Sequence, residues 1–169
     1  DQPRSRGLGD VYKRQIYRYD STSKKWQRIK TVKAVSFTDS GLARAKGYSY
    51  KVKAVKKSGG KEYISASYSK AIEAVTKPAK ASCTAKSAGS GSIEVSWKAV
   101  GGASGYEIYS SSNGSDYVKS AKVGGSQKSA IVSGFEPYSL RMVKVRAYKT
   151  VNGKTSYGAF SQAVMVIVR

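Results

Sequence analysis

Few residues in this chain are of types that perform acid–base or metal chemistry. The 169 residues include no histidine and one cysteine, Cys83, which removes the commonest general base, the usual zinc ligands and any Cys–His pair. Cys83 lies on a predicted strand and is interpreted as a small buried apolar residue. Glu94 and Glu107 are predicted to face solvent rather than a cleft that could tune two carboxylates. We therefore expect no enzyme activity, no catalytic residue, no metal site and no cofactor.

Basic and aromatic side chains on predicted strands form the stronger chemical signal. In two segments the basic residues alternate with small apolar ones, so they share the outward face of each strand. Rings near the second segment are predicted to be exposed. This candidate ligand face comprises Lys51, Lys53, Lys144, Arg146, Tyr109 and Tyr117. Such a face suits an anionic polymer whose sugars or bases stack on rings, although ordinary solvated strand faces show the same alternation.

The charge of the whole chain is strongly positive. Thirty-one basic and 10 acidic residues give a formal net charge of +21. This charge favours anionic partners such as cell-wall polymers, acidic lipid surfaces or nucleic acid; nucleic acid is disfavoured because no nucleic-acid motif accompanies the charge. Solvation of outward strand faces is the alternative explanation. The longest apolar run, residues 163–168, has six residues, so we expect no membrane span.

The elements that carry these residues are predicted to be short β-strands. In segment 90–111, the alternating residues Ile93, Val95 and Trp97 are followed by a glycine-rich break and then by Tyr106 and Ile108. This pattern predicts two neighbouring strands, each with one apolar face, with the large Trp97 ring at the centre of a core. Glycine-containing turn signals recur at 57–61, 112–115, 123–126 and 151–154. Regular turns between short strands predict an all-β sandwich.

The chain contains an internal repeat. Residues 48–56 resemble residues 141–149, and residues 68–71 resemble residues 160–163, at a spacing of 92 or 93 residues, so one structural unit occurs twice. The boundary is placed near Pro78, because proline cannot donate to a strand ladder. We predict one domain at 16–76, a linker at 77–80 and a second domain at 79–169.

Residues 1–15 fit neither copy. They carry glycine, proline and four basic residues without a strand or helix period, which predicts a disordered leader. Their sequence also resembles a translated sequencing adapter, in particular GDVYKRQ at 9–15. We expect this segment to be artefactual and to lie outside the fold.

Taken together, these motifs resemble the fibronectin type III family, in the form of tandem modules of secreted or cell-surface proteins of Gram-positive bacteria. The resemblance covers residues 16–169. It is carried in the second copy by Pro78, by 93–97 with Trp97 as strand B, by 105–109 as strand C, and by 135–137 followed by 143–147 as the E–F corner and strand F. It implies an immunoglobulin-like β-sandwich. The residues that the resemblance assigns to the structural core are Trp97, Tyr106, Ile108, Val145, Tyr48 and Val52.

Two departures from the family pattern are visible. The first copy has a corner tyrosine, Tyr48, six residues after Leu42, whereas the second has Arg141 six residues after Phe135. Either the Arg141 guanidinium replaces the hydroxyl bond of the family's corner or this corner is weaker. The first copy also lacks strands A and B, and its remaining strands are predicted near 16–19, 26–32, 35–38, 48–56 and 63–75. Its inward positions Ile16, Tyr50, Val52 and Ala54 would lose the opposing sheet, so we expect residues 16–76 to fold poorly alone.

The resemblance implies a non-catalytic spacer or adhesion module of a larger extracellular bacterial protein, with neighbouring domains of that protein as its partners. The first alternative is binding of an anionic cell-wall polymer or other carbohydrate through the candidate ligand face. A third hypothesis is an accessory module of a polysaccharide-degrading enzyme, in which Tyr109 and Tyr117 contact neutral sugar. Localisation outside the cell or at its surface is expected in each case.

Overall fold

The computed structural model describes residues 11–169, and their regular structure is entirely β. The chain divides into two compact units: unit 1 comprises the described residues up to Leu42 with Tyr48–Ala74, and unit 2 comprises Ala43–Gly47 with Val75–Arg169. The strands are β1 (Val11–Asp20), β2 (Lys25–Val32), β3 (Gly47–Ser58), β4 (Lys61–Ile64), β5 (Ile72–Val75), β6 (Cys83–Gly89), β7 (Ser92–Trp97), β8 (Gly105–Ser111), β9 (Val118–Gly124), β10 (Ser129–Ser133), β11 (Leu140–Val151), β12 (Lys154–Tyr157) and β13 (Val164–Ile167). No helix that could cross a membrane occurs within residues 11–169.

Unit 2 is a sandwich of two antiparallel sheets. One sheet has the order β10-β7-β6; the other has the order β12-β11-β8-β9, with β13 also paired to β11. The alternation read from the sequence places Ile93, Val95 and Trp97 of β7 against Tyr106 and Ile108 of β8, and all five side chains are buried. The Trp97 ring lies 5.1 Å from the Tyr106 ring, and its Nε1 donates to the Gln127 carbonyl at 3.1 Å. Val145 is fully buried in the same core.

In each unit a two-residue hairpin loop joins the longest strand to the strand that follows it: β3 to β4 in unit 1, and β11 to β12 in unit 2. In unit 2, Asn152 and Gly153 have φ values of +48° and +76° between β11 and β12. In unit 1, Gly59 and Gly60 have φ values of +55° and +80° between β3 and β4. Two consecutive positive φ angles define the turn whose twist matches a β-hairpin, and asparagine and glycine adopt them at low cost. The Asn-Gly and Gly-Gly signals therefore fix the register of β4 and β12.

Unit 1 repeats one sheet of unit 2. Its order is β2-β1-β3-β4, with β5 also paired to β3, which corresponds strand for strand to β9-β8-β11-β12 with β13. The pairing register is also equivalent: Ile16 lies opposite Val52 as Ile108 lies opposite Val145. The described residues of unit 1 form no second sheet. The predicted strand at 35–38 is not formed, and the region predicted as one strand at 63–75 contains the end of β4 and the whole of β5, with no strand at 65–71.

The missing second layer changes the burial of the inner face in unit 1. Segment 32–39 passes over this face and lines a groove of about 520 Å³ together with Ile16, Tyr50 and Val52. Ile16 is buried, but Val52, Tyr50 and Tyr48 are only half-buried and Ala54 is exposed. Tyr48 and Val52 were assigned to the structural core, and Val52 was also expected to lose an opposing sheet; both are only half-buried, because no described strand packs on this side.

Asp39 ties segment 32–39 to the inner face of unit 1. Its Oδ2 accepts hydrogen bonds from Arg18 Nη1 and from Tyr50 Oη, each at 2.8 Å. Burial, followed by the hydrogen bond to Asp39, raises the pKa of Tyr50 to about 12. The hydrogen bond that Arg18 donates to Asp39 likewise raises the pKa of Arg18. These two hydrogen bonds hold segment 32–39 on the inner face of unit 1, the face that a second sheet covers in unit 2.

The expectation of a disordered leader is wrong for residues 11–15. These residues extend β1, where Arg14, Gln15 and Ile16 pair with Ala54, Lys53 and Val52 of β3. Gln15 is 4% exposed. The rest of the proposed leader, residues 1–10, lies outside the described residues. A strand partner on each side of β1 supplies backbone hydrogen bonds that the local sequence period could not reveal.

In the corner of unit 2, Arg141 occupies the position that the tyrosine has in the family pattern. The Arg141 guanidinium lies over the Phe135 ring at 5.0 Å. Its Nε is buried, with no hydrogen-bond partner among the described residues. Arg141 therefore stabilises this corner by packing on an aromatic ring, and Nε does not supply the back-bond.

Candidate functional site

The basic residues singled out in the sequence lie on the outward face of the equivalent sheet in each unit. In unit 2, Tyr109 lies opposite Lys144, and Glu107 lies opposite Arg146. In unit 1, Tyr17 lies opposite Lys51, and Gln15 lies opposite Lys53. Directly opposed residues of paired strands share one face. The two faces are thus built from the same four positions, with one change of charge, at Glu107 and Gln15.

The cation face of unit 2 is organised around a buried carboxylate. It comprises Glu107, Tyr109, Tyr117, Lys119, Lys144, Arg146, Tyr157 and Phe160. Glu107 is 1% exposed, so the prediction that it faces solvent as an ordinary surface carboxylate is wrong. Its Oε2 accepts from Arg146 Nε at 2.9 Å and Nη2 at 2.7 Å, and its Oε1 accepts from Lys119 Nζ at 3.4 Å. The cations compensate for the loss of water around this carboxylate.

The pKa of Glu107 reflects this balance. Burial favours the neutral acid and acts to raise the pKa, but the hydrogen bonds and charges of Arg146, followed by those of Lys119, outweigh it. The pKa of Glu107 is therefore below its ordinary value. A carboxylate held in its charged form is poorly suited to donate a proton as a general acid.

Aromatic rings enclose the cations of unit 2. Lys144 Nζ lies 3.5 Å from the centre of the Tyr117 ring and 4.5 Å from that of Phe160. The Arg146 guanidinium lies 4.1 Å from the Tyr157 ring and 4.8 Å from the Phe160 ring. Each such contact stabilises a cation by about 0.5–2 kcal/mol. The rings and charges of unit 2 therefore contact one another.

The cation face of unit 1 has the same layout with fewer internal partners. It comprises Gln15, Tyr17, Trp26, Arg28, Lys51, Lys53 and Tyr68. Lys51 Nζ lies 4.5 Å from the Trp26 ring and 5.5 Å from the Tyr68 ring, and Lys53 Nζ lies 4.5 Å from the Tyr68 ring. Lys53 also donates to the Ala66 carbonyl at 3.0 Å. The buried residue at the carboxylate position is here a neutral amide, Gln15.

In each unit, the serine that directly follows Tyr68 or Phe160 bonds to the central strand and so positions that ring on the cation face. In unit 1, Ser69 Oγ accepts from the Val52 N–H at 3.0 Å, and the Ser69 N–H donates to the Val52 carbonyl at 2.9 Å. In unit 2, Ser161 makes the equivalent pair of bonds to Val145, at 3.0 and 2.8 Å. These bonds fasten Tyr68 and Phe160 over the basic residues on either side of Val52 and Val145.

The six predicted face residues are therefore divided between the two units. Lys51 and Lys53 lie together in unit 1, and the other four lie together in unit 2. Tyr109 and Tyr117 are half-buried rather than exposed: Tyr109 packs edge-on against Phe160 at 5.0 Å and donates to Glu107 at 3.2 Å. The sequence reading missed Glu107, Trp26 and the pair Tyr68 and Phe160. The last pair lies in the repeated Tyr-Ser and Phe-Ser dipeptides, which did carry a signal.

No metal-binding group is evident in the described part of the chain, where no three Cys, Asp or Glu side chains gather. Cys83 is half-buried, with Sγ 3.2 Å from Ser161 Oγ. Its position on β6 beside the core is that of a packing residue.

Comparison with known proteins identifies the fold. No family model and no curated protein matches the sequence. Among solved structures, the FN1–FN3 domains of chicken CNTN1 match with a TM-score of 0.52 at 20% identity, over 99% of this chain and 57% of that one. A two-domain fibronectin type III segment from chicken tenascin matches with a TM-score of 0.54 at 11% identity, over 96% of this chain and 88% of that one. The chain thus spans little more than half the length of the CNTN1 structure.

The protein is therefore an all-β molecule of the immunoglobulin-like sandwich class, as the sequence predicted. More particularly, its structural neighbours are tandem fibronectin type III domains. At these identities the likeness concerns the fold, and any role must be argued from the residues of this chain.

Proposed function

We propose that this chain is a non-catalytic spacer or adhesion module of a larger extracellular bacterial protein, and that it positions neighbouring domains of that protein. The observation that carries this proposal is the state of Glu107, the one acidic residue buried in the described part of the chain. It is neutralised by Arg146 and Lys119 and lies under aromatic rings rather than in a cleft. A filled sandwich whose buried carboxylate is paired internally supports a structural role for unit 2 rather than a catalytic one.

A second function, binding of an anionic cell-wall polymer, is supported by a separate observation. Each unit presents lysine or arginine on the equivalent face of its own sheet, and the net charge of the chain is +21. Long-range attraction raises the local concentration of an anionic polymer near such a protein. The third hypothesis, contact of Tyr109 and Tyr117 with neutral sugar, is weakened because Lys144 covers the Tyr117 ring and Tyr109 packs on Phe160.

Retention of the full chain on insoluble polymers tests both functions. A purified anionic cell-wall polymer and a neutral polysaccharide are compared at low ionic strength and at 0.15 M salt, where the screening length is about 8 Å. The spacer function predicts no retention on either polymer, and the second function predicts retention on the anionic polymer that salt removes. Release of reducing ends from either polymer would contradict the non-catalytic proposal.

A further inference from the structure

We propose that the cation face of unit 1 binds carboxylate groups of an acidic polysaccharide, whereas the cation face of unit 2 does not. This inference rests on the second function above and specifies the unit that binds and the chemical group that is bound. It follows from the change from Glu107 to Gln15 between two faces that share the same layout of cations.

Unit 2 shows which anion its framework accepts. The Glu107 carboxylate lies against Arg146, its direct partner across β8 and β11, and against Lys119 of the neighbouring β9. The three strands therefore place two cations around one carboxylate. Because that carboxylate belongs to the chain, the face is neutralised internally, and an external carboxylate would have to compete with it.

Unit 1 has cations at the same positions and lacks the carboxylate. Lys53 lies opposite Gln15 as Arg146 lies opposite Glu107. Arg28 lies opposite Tyr17 as Lys119 lies opposite Tyr109. Gln15 is neutral, and its Oε1 accepts from Tyr17 Oη at 2.7 Å. Arg28, Lys51 and Lys53 all lie outside the segment 1–15 that resembles a translated adapter.

The rings of unit 1 favour a sugar polymer over an acidic peptide. Tyr68 is 38% exposed and Trp26 is half-buried, so part of each ring surface is accessible beside the ammonium groups. Stacking on accessible rings suits flat, cyclic ligands. The rings also restrict the lysine side chains before binding, which lowers the entropy lost when a ligand is held.

Titration of the full chain with soluble polygalacturonate tests this assignment. The fully methyl-esterified polymer is the matched control, because it keeps the sugar backbone and removes the negative charges. We expect polygalacturonate to bind at low salt and affinity to fall at least tenfold at 0.15 M salt. We expect no binding of the ester.

Matched variants locate the site. Lys51→Ala/Lys53→Ala removes two cations from the cation face of unit 1, and Lys25→Ala/Lys30→Ala removes two from the other face of the same sheet, since Lys25 and Lys30 lie opposite Asp20 and Ile16. We expect the first double variant to weaken binding at least tenfold and the second less than threefold. Gln15→Glu keeps every cation and supplies an internal carboxylate, and it should weaken binding at least threefold. Lys144→Ala in unit 2 should change affinity less than twofold.

The possible outcomes distinguish this inference from the second function, polymer binding, on which it rests. Absence of polygalacturonate binding by the unaltered chain at low salt would overturn this inference, and absence of retention on the anionic cell-wall polymer would overturn the second function as well. Salt-sensitive binding that the two double variants weaken equally would overturn the assignment to unit 1 and leave polymer binding in place. Polyglutamate or duplex DNA binding more tightly than polygalacturonate would overturn the polysaccharide assignment.

Discussion

The two units build the same five-stranded sheet with different surroundings. In unit 2 a second sheet covers the inner face, so Ile108 and Val145 are fully buried. In unit 1 the described residues cover the inner face only in part, through segment 32–39, and Val52, the counterpart of Val145, is half-buried. Yet strand order, register and the layout of the cation face are the same. Pairing and hairpin geometry therefore determine the sheet, whereas its burial depends on a second layer.

The largest difference between the units is expected from their two tryptophans. Trp97→Ala would leave a large cavity in the core of unit 2 and cost about 4 kcal/mol of unfolding free energy. Trp26→Ala in unit 1 removes a half-buried ring and one cation–π contact, and should cost about 1 kcal/mol. Hydrogen exchange measured by mass spectrometry reports each unit separately. Equal loss of protection in the two variants would show that Trp97 does not centre a core.

The buried carboxylate provides the next test. Glu107→Gln leaves Arg146 without its partner and should destabilise unit 2 by about 3 kcal/mol, as expected when one member of a buried pair is removed. Gln15→Glu in unit 1 adds a carboxylate at a buried position beside Lys53, where its loss of solvation and its attraction to the lysine oppose each other, so the stability of unit 1 should change less, by about 1–2 kcal/mol. Denaturant unfolding followed by circular dichroism gives both values. If Glu107→Gln leaves the unfolding free energy unchanged, the contacts of Arg146 with its aromatic neighbours are sufficient to stabilise it.

Replacing the serine that follows the ring residue should also destabilise unit 2 more than unit 1. Ser161→Ala leaves the Val145 N–H buried without a partner and should cost about 2 kcal/mol. Ser69→Ala removes the equivalent bond to Val52 at an exposed position, where water replaces it, so the cost should be about 0.5 kcal/mol. The same exchange experiment, read at β3 and β11, measures both. Equal costs would imply that the Val52 N–H is as inaccessible to water as the Val145 N–H.

The two units should also differ in how their stability depends on pH. The effect is small near neutral pH, and stability falls on the acid side for unit 2 and on the alkaline side for unit 1. The pKa of Glu107 is lowered in the folded state, so its contribution to unit 2 is present above the unfolded pKa and is lost as pH falls through the folded pKa. The pKa of Tyr50 is raised to about 12, so its contribution to unit 1 is present below about 10 and is lost between about 10 and 12.

Unfolding of each unit as a function of pH, followed by hydrogen exchange or by the one tryptophan that each unit contains, checks this prediction. Glu107→Gln should remove the acid-side slope of unit 2, and Tyr50→Phe should remove the alkaline-side slope of unit 1. Retention of either slope in its variant would assign it to other groups.

Much of the fold could be predicted from local sequence. Alternation identified β7, β8, β3 and β11, and Asn152-Gly153 and Gly59-Gly60 identified the hairpins, because both signals act over a few residues. Residues 11–15 were misjudged because their strand structure depends on pairing with Lys53 and Ala54, far along the chain. Segment 35–38 was misjudged for the opposite reason, because a strand-like sequence has no partner strand there.

The site was only partly predictable. Lysine and arginine spacing on β3 and β11 placed the cations correctly on one face of each strand. The burial of Glu107 was missed because alternation assigns it to the outward face, and the Arg146 side chain and the rings that cover that face come from distant positions. Which charges are neutralised internally depends on such contacts, and the sequence of one strand does not contain them.

The excess of positive charge has a further consequence for the open sheet of unit 1. A half-covered apolar face and the exposed Tyr63 and Ile64 on the short edge strand β4 are features that promote association between copies. A net charge of +21 opposes such association, because like-charged molecules repel over the screening length. Colloidal stability should therefore fall as salt or a polyanion neutralises the chain.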